Sequence, residues 1–231
     1  MPRPKCTPLK ITAHLVDGRF SSADGIIMLD SILYHAWYIK HAPHVLEGTG
    51  ADEFNGRIGL PLRQLPGNRW AASKGIYEEI EIRVEHYNKR PDFFAADKID
   101  YLDAQKGQIS DREGAYRAYR NPQLIRTVKD RKIVFFAIGH RDEVQNLLNL
   151  MIAIGKKPAM GFGMVQKWVV ENFDEDYTTE HPVYGLMRPI EVENAEKKYD
   201  CPIMRYGVKP PYWKEKNARL CYVPIQISKG E

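Results

Sequence analysis

The chain has 231 residues, 43% of them hydrophobic, and a formal net charge of +4, an ordinary balance for a soluble globular protein built as one domain with additions or as two small ones. Its three cysteines, Cys6, Cys201 and Cys221, form no Cys-x-x-Cys pair, which argues against a disulfide framework and against a zinc site. No apolar run approaches the roughly 20 residues needed to span a bilayer, and the first six residues lack the apolar core of a signal peptide, so a cytoplasmic protein without membrane contact is expected.

Residues 9–16 place Leu9, Ile11, Ala13 and Leu15 on one side and predict a first strand. From Leu29, the apolar positions Leu29, Ile32, Leu33, Ala36 and Trp37 follow the spacing of an amphipathic helix, closed by Pro43. Residues 45–68 are rich in Gly and Pro, with a short strand expected at 57–62. Arg69, Trp70 and Lys74 then set bases beside an aromatic that reads as exposed. Residues 76–87 alternate apolar and polar side chains and predict a long strand.

Residues 88–131 hold no sustained apolar period. Within 105–132, eight Lys or Arg face three acids, a net of +5, interleaved with tyrosines. A stretch of this length in a compact domain is read as a basic protruding insertion, a hairpin in form, with Arg112, Arg117, Tyr119, Arg120 and Arg126 as candidate contacts to a polyanion. Residues 132–139 form a continuous apolar strand suited to a sheet interior. Val144, Leu147, Leu148, Met151 and Ile152 repeat the helical spacing, with Asp142 and Glu143 favouring the helix start and Gly155 its end.

The next loop is the most informative stretch. Gly155, Lys156, Lys157, Pro158, Gly161, Phe162, Gly163 and Met164 lie between a helical pattern and a strand pattern at 164–170. Glycine allows close approach and leaves backbone N–H groups open to an anion, and the two lysines add positive charge. The run is neither a Walker A loop nor a dinucleotide fingerprint, because Pro158 follows the lysines and a strand follows the glycines. Residues 170–200 are acidic, at −6. Residues 205–219 turn basic and aromatic again, at +4, with Leu220 to Val223 as an edge strand of an addition packed on the domain. Asp174, Glu175 and Asp176 read as a solvated turn, and no cluster has metal-ligand spacing.

The order strand, helix, strand, strand, helix, strand predicts an α+β chain with a ferredoxin-like (RRM-like) antiparallel sheet and two helices. That order, the glycine-rich loop after the second helix and the basic insertion together resemble the RAMP superfamily of CRISPR-associated RNA-binding proteins. Met28, Leu29, Asp30 and Leu33 resemble a segment of the type IV branch equivalent to the subunit that caps Cascade-like complexes. Where the superfamily loop often has arginine after the last glycine, this chain has Met164.

The resemblance implies a RAMP domain over 8–171, with the insertion at about 88–131 and a C-terminal extension over 172–231. It further implies a non-enzymatic subunit without cofactor that holds the 5′ handle of a guide RNA through the loop and a thumb. Partners would be backbone and large-type subunits of the effector, with target DNA met through the complex. Lysines and arginines suit phosphates, and tyrosines and tryptophans suit unstacked bases. Two alternatives remain: a metal-independent endoribonuclease using a histidine among His14, His35, His86 and His140, and a protein-interaction module rich in Tyr and Arg.

Overall fold

The computed structural model describes residues 5–44, 58–89, 119–156 and 158–226, the side chains of Lys89 and Tyr119 excepted. Its architecture is α+β with antiparallel sheets. Strand β1 (Thr7–Leu15) leads through β2 (Arg19–Ser21) into helix α1 (Leu29–His41). A small hairpin, β3 (Gln64–Leu65) and β4 (Arg69–Trp70), precedes the long strands β5 (Glu79–Lys89) and β6 (Tyr119–Val128). Strand β7 (Lys132–Gly139), helix α2 (Arg141–Leu148) and β8 (Val165–Asn172) follow.

In the central sheet, β1 lies between β7 and β8 and is antiparallel to both. Its apolar alternation is why: Leu9, Ile11, Ala13 and Leu15 all enter the core, joined by Ile133, Phe135 and Ala137 of β7 and Trp168 and Val170 of β8. Helices α1 and α2 cover this face with Leu29, Ile32, Leu33, Ala36, Val144, Leu147 and Leu148. The outer edge of β7 is not bare. Single bridges attach Leu62 to Gly139, Ala72 to Ala137 and Ile76 to Val134, so an irregular segment occupies the place of a further strand.

A second sheet has the order β2, β6, β5. Strands β5 and β6 form a long antiparallel ribbon, from Glu79 opposite Val128 to Lys89 opposite Tyr119. The described ends of the insertion expected at about 88–131 continue this one ribbon, which begins at Glu79. Residues 90–118, with Arg112 and Arg117, lie outside the described residues. The alternation over 76–87 does not bury the strand: Ile80, Ile82 and Val84 are exposed, because this ribbon leaves the main core.

Other expectations shift. Residues 58–62 make a bridge rather than a strand. Helix α2 stops at Leu148 instead of running to Gly155, and the chain returns in extended form, Ile154 N–H donating to Gly163 O at 2.9 Å. The helical spacing misled there because Met151 packs against the core from outside any helix while Ile152 is exposed.

The C-terminal residues add hairpin β9 (Glu180–His181) and β10 (Gly185–Leu186), and a sheet of β11 (Ile190–Glu191), β13 (Ala218–Tyr222) and β12 (Ile203–Gly207) in that order. Strand β13 is therefore central rather than an edge. Several bonds tie this part to the rest: Lys74 Nζ to Ile225 O at 2.6 Å, Gln226 Nε2 to Tyr77 O at 2.6 Å, and Tyr206 Oη to Asp24 at 2.8 Å. Among the described residues, no helix is long and apolar enough to cross a membrane.

Candidate nucleic-acid interface

The glycine loop is held by backbone on both sides. Lys156 N–H donates to Ser21 O at 2.9 Å and Gly163 N–H to Arg19 O at 2.7 Å, so the loop is pinned to β2, and β2 is paired with β6 of the ribbon. Loop and ribbon base are thereby joined through one short strand.

The glycines do not serve as the sequence suggests. Gly163 N–H is spent on Arg19 and Gly161 N–H on Pro158 O at 2.8 Å, so neither is open to an anion. Gly155 and Gly163 instead permit close packing. A Cβ on Gly155 would sit 2.6 Å from Ser21 O, and one on Gly163 1.9 Å from Ile154 O, with φ at +76° and +72°. Gly161 alone stands clear, with φ +85° and no neighbour within 4 Å.

The other expected contacts divide. Lys156 is exposed, Arg120 lies exposed on β6, and Met164 is half-buried beside Ala153. Phe162 is buried under the Arg19 guanidinium, 5.7 Å from its ring centre. Three expected contacts are internal. Trp70 is buried, and its carbonyl accepts from Arg188 at 2.6 Å. Lys74 is 1% exposed, and burial pushes its pKa down to about 8. Arg126 is buried against Glu79 and donates to Ser22 O and Ala23 O, holding the 22–25 loop under the ribbon. Arg69 donates to Pro66 O at 2.8 Å within its own hairpin. Lys157 and the Tyr119 side chain lie outside the described residues.

Tertiary structure supplies other residues. A cleft of about 770 Å³, within the usual range of ligand sites, opens between the 21–28 loop, the start of α1, the glycine loop and the C-terminal sheet. Lys156, His35, Arg205 and Trp213 line it over an apolar floor that includes Ile26, Ile32 and Ile154. Trp213 is 77% exposed, whereas Trp37, Trp70 and Trp168 are buried. Lys214 sits over the Trp213 ring at 5.5 Å, and burial lowers the pKa of His35, keeping that ring neutral at neutral pH. The basic, aromatic run at 205–219 was the available signal for this wall, but nothing in the linear chain placed it beside the glycine loop.

The arrangement suits a flat, unpaired ring with an attached anion: indole for stacking, imidazole for hydrogen bonding, ammonium and guanidinium for phosphate. The four candidate histidines do not gather. His35 lines the cleft, His14 lies in the central sheet and His86 on the ribbon, while His140 Nε2 stands 3.6 Å from Cys6 Sγ beside a different cleft. Among the described residues, no group of three or more His, Cys, Asp or Glu is arranged to hold a metal ion.

No curated protein matches the chain. The family model of CRISPR type IV associated protein Csf3 matches residues 7–224, spanning the central sheet, the ribbon, the glycine loop and nearly all of the C-terminal part. The chain therefore belongs to the Csf3 family of CRISPR type IV associated proteins.

Proposed function

We propose that the chain is a non-catalytic RNA-binding subunit of a type IV CRISPR ribonucleoprotein, capping the 5′ handle of the guide RNA and meeting backbone and large-type subunits through the rest of its surface. Target DNA would be met only through the assembled complex. The observation that carries this reading is the shared cleft, where Lys156 of the glycine loop, Arg205 of β12 and Trp213 of the turn between β12 and β13 line one apolar floor. Such a combination recognises an unstacked base together with its phosphate. The fold reading that accompanies it is a RAMP-type ferredoxin-like sheet in which the irregular segment bridged to β7 stands for the second strand, and the ribbon is the thumb. The bridges from Leu62, Ala72 and Ile76 support that assignment.

The test is to co-express the chain with its guide RNA, sequence the RNA that remains bound, and measure handle affinity against salt. The reading expects handle-containing RNA, retained uncut in EDTA, with affinity falling as salt rises. Sequence-specific cleavage in EDTA would replace it with the endoribonuclease reading. Absence of RNA, or affinity unchanged by Lys156→Glu with Trp213→Ala, would overturn it.

A further inference from the structure

Three residues outside the cleft lie in one row across the central sheet. His14 of β1 is in register with Lys132 of β7 on one side and Lys167 of β8 on the other. Directly opposed residues on antiparallel strands share a face, with Cβ atoms about 4.5–5.5 Å apart. The imidazole therefore stands between two lysine side chains. Because Ala13 and Leu15 point into the core, this row is on the face turned away from the helices. Phe136, Met187, Phe173, Tyr177 and Tyr184 cover the other end of that face, but Lys132 and Lys167 are exposed and His14 is half-exposed.

The charges around the row are one-sided. From β7 comes Lys132 and from β8 Lys167. The nearest acid on the same face of β8 is Glu171, two rows away opposite Lys10. Beyond the strand ends, Asp17 is paired with Arg19, Asp130 acts on Lys129, and Arg131 donates to Val16 O at 3.1 Å. Among the described residues, neither Lys132 nor Lys167 forms a salt bridge. Burial, then Lys167, then Lys132 lower the His14 pKa, which leaves the ring neutral at neutral pH. Like charges placed across strands repel, and an anion seated between them removes that cost. The row also adjoins the glycine loop, since Val16 N–H donates to Met164 O at 2.9 Å.

We propose that His14, Lys132 and Lys167 form a phosphate-binding row, suited to one backbone phosphodiester of RNA that continues past the cleft. Two ammonium groups and one imidazole N–H supply donors to a tetrahedral group with several acceptor oxygens, an arrangement that suits phosphate better than a single protein carboxylate. The inference rests on the RNA-binding reading for its natural ligand, but the phosphate chemistry stands by itself.

The experiment uses the full chain and histidine NMR, with His14→Gln identifying the resonance. Inorganic phosphate is added first, against chloride at matched ionic strength, and handle RNA second. The expected results are a saturable shift of His14 with phosphate and a raised His14 pKa with RNA. Lys132→Gln with Lys167→Gln should abolish both, weaken RNA binding about tenfold, and lower the salt slope by about 1.4, two contacts at roughly 0.7 each. The row is overturned if phosphate leaves His14 unmoved, if the double variant keeps the phosphate shift, or if the parent binds RNA and the double variant binds it as tightly. A phosphate shift without RNA binding upholds the row and removes the RNA reading instead.

Discussion

The hydroxyl of Tyr212 donates to both carboxylate oxygens of Asp30, each at 3.0 Å, joining residues 182 positions apart. Asp30 lies in the first turn of α1 and is 0% exposed. Burial raises its pKa to about 6 against the opposing pull of Arg188 and of the Tyr212 hydrogen bond. This pair anchors the turn between β12 and β13 to the helix at one side of the cleft, next to Trp213.

A carboxyl with a raised folded-state pKa binds its proton more tightly in the folded state, so its contribution is fully present below the unfolded value near 3.8 and lost as pH rises through about 6. Relative to Asp30→Asn, the parent should therefore lose up to about 3 kcal/mol between pH 4 and pH 7, at ~1.36 kcal/mol per pKa unit. Urea unfolding of both proteins across that range is the check. A flat difference would mean that Asp30 is not held in a poorly solvated site.

Gly161 and Gly163, two of the three positive-φ glycines of the loop, should respond unequally. Gly163→Ala adds left-handed strain of about 1–2 kcal/mol to a methyl group 1.9 Å from Ile154 O, which forces the paired backbone apart. Gly161→Ala meets only the strain, since nothing lies within 4 Å. Chemical denaturation should show Gly163→Ala as the more destabilising by at least about 2 kcal/mol, given what misplaced backbone hydrogen bonds cost.

Trp213 is set for recognition rather than for stability. Trp213→Ala should leave the unfolding midpoint within about 0.5 kcal/mol of the parent, as exposed substitutions do, and weaken handle RNA by about 1–3 kcal/mol, the worth of one stacked base. Because the other three tryptophans are buried, RNA should quench the fluorescence that Trp213→Ala removes. Quenching that persists in the variant would place the base elsewhere.

Lys74→Met should leave RNA affinity unchanged, since the ammonium is spent on Ile225 O inside the fold. Its effect belongs to stability. A lysine with its pKa pushed down to about 8 stabilises the fold fully only above the unfolded value of 10.5, and that contribution is lost as pH falls through about 8. The parent should thus gain stability relative to Lys74→Met between pH 8 and pH 10, read from thermal melts across that range.

Much of this was legible in the chain. The period-two pattern of Leu9, Ile11, Ala13 and Leu15 and the helical spacing of Leu29, Ile32, Leu33, Ala36 and Trp37 match buried positions one for one. The expected helix end at Gly155 failed for a local reason: apolar spacing does not distinguish a continuing helix from a tight turn after Leu148 that packs Met151 on the same core. Trp70, Lys74 and Arg126 have polar or amphipathic side chains beside basic stretches, so composition reads them as surface; the structure buries each behind a specific partner.

Local pattern, then, determined the strands β1, β5, β7 and β8, the helix α1, the start of α2, and that the glycine loop lies between α2 and β8, because side-chain period and glycine's freedom act over a few residues. Only the tertiary structure decided what that loop adjoins. Pairing of Lys156 with Ser21, of Asp30 with Tyr212 and of His14 with Lys132 and Lys167 depends on backbone register and on burial between distant segments. Those contacts are long-range, and no window of the linear chain contains both halves of any of them.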